Sequence, residues 1–114
     1  MQLKDIKAGD HTFSVVMPTT REGFRIQAKL MNIAALTYQG KLQGDEQYDL
    51  LKSMLNGAEV DNQPLDFDKF FEGQIDLADT VFFAYVKEMY PSFLGRATAM
   101  FQRKMAESSG SAES

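Results

Sequence analysis

The chain has 114 residues, 44% of them hydrophobic and 25% charged, and a formal net charge of −4. These are the proportions of one globular domain with a modest core, and the acidic balance argues against a nucleic-acid binder, which sets clustered Lys and Arg on phosphates. There is no cysteine, which excludes disulfides, thiolate zinc sites and thiol catalysis; the opening M-Q-L-K-D-I-K lacks the apolar run of a signal peptide, and no stretch approaches the roughly 20 apolar residues of a membrane span.

Residues 1–10 are polar and end on Gly9-Asp10, a turn signal. Phe13, Val15 and Met17 then alternate with Thr12 and Ser14, which predicts a strand over 12–17. Pro18 has no amide hydrogen for a ladder and stops it. Thr19 and Glu22 have the spacing of a capping box, so a helix is predicted over Thr20–Tyr38, ending at Gly40. Its apolar residues form two stripes: Ile26, Leu30, Ile33 and Thr37 on one side, and Phe24, Ala28, Met31, Ala35 and Tyr38 nearly opposite, with Arg25, Lys29 and Asn32 between. A helix apolar on two sides is central in its fold or shared with a partner.

A second helix is expected over 45–55, with Tyr48, Leu51, Met54 and Leu55 inward and Asn56-Gly57 as its stop. Val60 and Leu65 flank Asp61-Asn62-Gln63-Pro64, which reads as a turn or small hairpin. Asp66 is a candidate N-cap for a short helix over Phe67–Glu72, stopped by Gly73. A fourth helix, Ile75–Met89, has one broad apolar face formed by Ile75, Ala78, Val81, Phe82, Tyr85, Val86 and Met89; Phe83 falls outside it, among Asp76, Asp79, Thr80 and Lys87, with Tyr90 two turns on. Pro91 breaks the run. A fifth helix over 92–106 turns Phe93, Ala97, Met100 and Phe101 inward, and the polar tail E-S-S-G-S-A-E-S is expected to be disordered.

The fold expected is therefore mainly α: a single domain over 1–106, with four to five helices in a compact bundle and a short N-terminal strand or small hairpin, then a disordered tail over 107–114. The strand at 12–17 needs a partner, either the 58–65 segment or the edge of another subunit.

No catalytic pattern is visible. His11 is the single histidine and has no motif around it, which favours a structural role. The carboxylates Asp61, Asp66, Asp68, Asp76 and Asp79 do not match a calcium loop, because Pro64 and Leu65 occupy positions that require a ligand or glycine. Asp66 and Asp76 are explained as helix starts, where a carboxylate complements free amides. Gly40-Lys41-Leu42-Gln43-Gly44 lacks the spacing and preceding strand of a phosphate loop. No cofactor and no metal are expected, and no base, nucleophile or metal set points to an enzyme. The row Arg21, Arg25, Lys29 reads as a solvated face or as a match for an acidic partner segment. Nine of the thirteen aromatics fall between Phe67 and Phe101. Most read as core, whereas Phe83 and Tyr90 sit beside charges and read as interface.

Three segments carry a resemblance. T-F-S-V-V-M-P-T-T-R-E-G-F-R-I-Q-A-K-L (12–30), V-D-N-Q-P-L-D-F-D-K-F-F-E-G-Q (60–74) and F-F-A-Y-V-K-E-M-Y-P-S-F-L (82–94) resemble the tail assembly chaperones of long-tailed phages, in which a short strand precedes an R-x-G-x-R-x-Q-A-x-L-type helix and an aromatic-rich helical half follows. The resemblance covers most of residues 12–94, and its motifs are packing patterns. It implies a small helical protein of the host cytoplasm that binds the tape-measure protein, keeps it soluble, helps tail-tube subunits polymerise around it and is absent from the mature virion; the two-sided apolar helices point separately to a homo-oligomer, a ring, a stack or a dimer. It also implies, for many relatives, a frameshifted longer form. A holdase for a long helical chain needs apolar grooves with adaptable side chains, and seven Met residues suit that need. The partner-binding residues expected are Phe24, Met31 and Tyr38 on the first long helix and Phe83 and Tyr90 on the fourth, with Arg25 and Lys29 for steering. The rival readings are a tail-completion or connector subunit kept in the virion, and a small protein-binding regulator.

Overall fold

The computed structural model describes residues 2–113, with the side chains of residue 101 and residues 104–113 outside the description. Among the described residues the element order is β1 (Leu3–Ala8), β2 (His11–Val16), α1 (Thr20–Tyr38), α2 (Gly44–Met54), β3 (Glu59–Val60), β4 (Gln63–Pro64), α3 (Phe67–Phe70), α4 (Ile75–Met89) and α5 (Pro91–Glu113). The strands form one antiparallel sheet in the order β1-β2-β3-β4. The fold is thus α+β, and this corrects the expectation of a mainly α bundle with a short strand or hairpin.

The correction comes from β1. Its sequence, Leu-Lys-Asp-Ile-Lys-Ala, puts only Ile6 and Ala8 in the core, two positions apart, which is too short an alternation to show against three charged residues. As a sheet edge β1 is where charge belongs, because lysines there discourage pairing with another chain. The turn to β2 is a two-residue loop, Ala8 opposing His11. Gly9 takes φ +60° in it, the positive value that a type II′ hairpin needs at its first loop position. A Cβ on Gly9 would also lie 3.3 Å from Leu77 Cδ1 of α4, so this turn is closely covered.

The strand expected at 12–17 is β2, which ends at Val16, with Met17 39% exposed beyond it. It pairs with β1 on one side and, through Phe13↔Val60 and Ser14↔Glu59, with β3 on the other. Both partners lie within the chain. The 58–65 hairpin closes through Asp61 (φ +50°) and Asn62 (φ +67°), a turn with both central residues left-handed, which Asp and Asn tolerate better than most. Asp61 also ties this hairpin to β2. Its carboxylate accepts from the Thr12 amide at 2.9 Å and from His11 Nδ1 at 2.6 Å.

The alternation of β2 divides the sheet into two faces. Phe13 and Val15 are fully buried and lie opposite Ile6 and Lys4. On the other face Ser14 donates to Asp5 across the strand pair at 2.7 Å. α4 crosses β1, and Lys4 reaches its Glu88 at 3.6 Å. α3 covers the β2 end of the buried Phe13 and Val15 face, which α4 also covers. Phe13 stacks with Phe71 at 6.1 Å and meets Phe70 edge-on at 5.7 Å, and Phe70 also abuts His11 at 5.1 Å.

α1 has the predicted bounds. Thr19 accepts from the Glu22 amide at 3.2 Å, and the chain turns away through Gly40 at φ +70°. Its Ile26, Leu30 and Ile33 are buried. α2 buries Leu50 with Leu51, Met54 and Leu55, while Tyr48, expected inward, is 42% exposed. α4 also has the predicted bounds. Asp66 precedes α3 but makes no side-chain cap bond. α5 continues past residue 106 to Glu113; the disordered tail expected over 107–114 falls on residues whose side chains are not described.

Candidate partner-binding grooves

α4 is the element from which the site is built. At 100° per residue, Leu77, Val81, Ala84 and Glu88 fall on one side of it, towards β1. Ile75, Asp79, Phe82, Phe83 and Val86 fall on the other side, away from the sheet. Phe82 and Val86 are buried, whereas Ile75 is 74% and Phe83 60% exposed. An apolar helix that leaves two large side chains in water on one side offers a contact surface.

That side lines two grooves. The first, about 540 Å³, lies between α1, α4 and α5, with Leu30, Ile33, Tyr38, Phe82, Phe83 and Phe93 among its walls. The second, about 550 Å³, lies between α2, α3 and the start of α4, walled by Tyr48, Leu51, Phe67, Phe71, Ile75 and Ala78. Both include Gln47 and Asp79, which are joined by a hydrogen bond from Gln47 Nε2 to Asp79 Oδ1 at 3.0 Å. The two grooves are therefore halves of one trough along α4, divided by a single polar bridge.

The expected binding residues separate into groups. Tyr38 and Phe83 share the α1–α4–α5 groove. Phe24 and Tyr90 share a smaller cleft of about 280 Å³ where β2 leads into α1. There Phe24 is 69% exposed. The Tyr90 hydroxyl is buried beside the Tyr85 phenol and lies 3.5 Å from where a Cβ on Gly23 would stand. Burial pushes the Tyr90 phenol above its ordinary value. Arg25 and Lys29 are exposed on α1, with Arg25 bonded to Glu22 at 2.8 Å. Met31 is half-buried and packs on the core.

The α2–α3 half of the trough was not singled out in the sequence. Its signal is Tyr48, which donates to Asp68 across the two helices, while Lys52 Nζ lies 3.4 Å from the same carboxylate and 5.5 Å from the Tyr48 ring centroid. The hydrogen bond from Tyr48, then the one from Lys52, hold the Asp68 carboxyl below the usual carboxylate range despite some desolvation. The same bond raises the Tyr48 phenol. Periodicity alone could not show this, because the contact joins residues 20 apart in sequence.

Among the described residues no group of three or more His, Cys, Asp or Glu side chains is placed to hold a metal ion. No described helix is long and apolar enough to cross a membrane. No known family model, characterised protein or solved structure matches the chain.

Proposed function

We propose that this chain is a non-catalytic assembly chaperone of the long-tailed phage type, which binds helical segments of the tape-measure protein, keeps that protein soluble and promotes tail-tube assembly around it. The observation that carries the reading is the trough along α4. It is apolar, open and helix-walled, and Phe83 and Tyr38 stand together in it. An amphipathic helix laid into such a trough buries its apolar stripe against fixed walls. Phe83 in the role of an anchor is consistent with the dominance of aromatic hot spots in interfaces of this kind. Phe24 and Arg25 lie outside the trough, Phe24 beside Tyr90, and suit a contact between copies of the chain.

The test is co-expression with the tape-measure protein followed by copurification and light scattering. The partner should be soluble only in complex with this chain, and Phe83→Ala should release it. A partner indifferent to the chain, together with discrete rings of the chain alone that persist in purified particles, would replace the chaperone with a structural tail subunit.

A further inference from the structure

Charge is unevenly distributed over this fold. Residues 44–80, which span α2, the 58–65 hairpin, α3 and the start of α4, hold ten acidic side chains against two lysines, a net of −8 in a chain whose total is −4. The remainder of the chain is therefore net basic. The trough follows this division. The charged side chains that line its two halves are Asp68 and Asp79, both acidic. Asp68 is partly offset by Lys52. Among the described residues, Asp79 is bonded only to the neutral Gln47 amide, and Asp76, on the same side of α4, has no basic partner within ion-pair distance.

We infer that the occupant of the trough is a cationic amphipathic helix of another protein, and that a lysine or arginine at its midpoint takes the place of Gln47 on Asp79. The inference rests on the groove reading above and adds the chemistry of the partner. From Ile75 to Val86 the α4 wall runs roughly 16 Å, about three helical turns. The helix that fits has an apolar stripe over those turns, flanked by Lys or Arg facing Asp68 of α3 and Asp76 and Asp79 of α4. At the bridge the trough is polar, and an apolar residue there would take Asp79 out of water with only the neutral Gln47 amide on its charge, which costs binding. A basic residue meets both needs, and its charge-assisted bond is stronger than the one Gln47 makes. A second copy of this chain is a poorer occupant. The stripe of α1 beside its basic row runs from Phe24 and Ala28 through Met31, which packs on the chain's own core, to Tyr38, which already walls the trough, so it is not open over three turns.

The experiment uses the full chain and two synthetic helical peptides of about four turns with the same Leu/Ala stripe. One is flanked by Lys and Arg and has Lys at its centre; the other carries Glu at those positions. Binding is read by fluorescence anisotropy at about 0.05 and about 1 M salt, a range over which the screening length falls to about 3 Å. The cationic peptide should bind about tenfold or more tighter at low salt, with most of that gap lost at high salt. Asp79→Asn should narrow the gap, and Phe83→Ala should weaken both peptides. Equal binding of the two peptides, or a gap unmoved by Asp79→Asn in a variant with unchanged thermal unfolding, overturns the charge assignment and leaves the groove reading standing. If neither peptide binds, or if concentration-dependent self-association displaces both, the charge assignment is likewise overturned. The groove reading then depends separately on whether Phe83→Ala releases the co-expressed partner.

Discussion

The two sides of α4 follow different rules. Towards β1, Leu77 covers the Gly9 turn, Val81 is fully buried and Glu88 pairs with Lys4; that side is finished within the chain. Away from the sheet, Phe83 remains largely in water beside buried Phe82 and Val86, and Ile75 in the adjoining groove is largely in water too. One helix thus carries both the stability of the fold and its open contact surface, and the two are separated by roughly half a turn. The lesson is that an exposed aromatic on an otherwise buried helix is informative when its neighbours on the same side line a trough. Stability and partner binding should therefore be separable by substitution.

The largest effect expected is on the closed side. Phe13 has no solvent exposure and contacts Phe70 and Phe71. Phe13→Ala should cost about 3–5 kcal/mol of stability, read as a lower urea midpoint at an unchanged slope. A loss near zero would mean that the sheet side is not the core. Phe83→Ala makes the opposite case. Its stability should stay within about 0.5 kcal/mol of the parent, while partner binding weakens by about 2 kcal/mol or more in a titration. Equal losses of both would erase the distinction between the two sides.

Smaller changes sharpen it. Thr19→Ala removes the cap of α1, whose far end supplies one wall of the trough, and should cost about 1 kcal/mol in thermal unfolding. Tyr90→Phe removes a buried hydroxyl that adjoins the Tyr85 phenol; the variant should stay within about 1 kcal/mol of the parent, and a larger destabilisation would mean that the two phenols form a full hydrogen bond. The least effect is the pH response of the Asp61 clasp. The hydrogen bond from His11, followed by that from the Thr12 amide, holds the Asp61 carboxyl below its ordinary value of 3.8. The folded state releases that proton more readily than the unfolded chain does. The stabilisation is therefore complete above the unfolded value and is lost as pH falls through the lower folded one. Asp61→Asn should be less stable than the parent near neutral pH, with the difference shrinking in acid. A difference that stays constant with pH would show that the turn geometry, and not the charge, holds the hairpin.

Much of this architecture is legible along the chain, because it is set by local chemistry. Thr19 with Glu22, Gly40 and Pro91 mark helix ends through backbone groups a few residues away, and α1 and α4 have the expected bounds. Asp61-Asn62 marks a tight hairpin for the same reason. β1 is not legible. Two inward residues among lysines carry little periodic signal, and the strand exists because β2 and α4 supply its ladder and its cover. Tyr48 misled in the same way, since its outward position is rewarded by Asp68 on another helix.

The sequence by itself determined the bounds of α1 and α4, the turn positions, the identity of the exposed aromatic Phe83 and the missing thiol chemistry. All of these follow from the residues and their near neighbours. Only the tertiary structure decided that the sheet has four strands, that Tyr38 and Phe83 share a groove while Phe24 and Tyr90 share another, and that Gln47 and Asp79 join two grooves into one trough. Each of those depends on side chains brought together from distant parts of the chain, and such contacts leave no period or spacing to read.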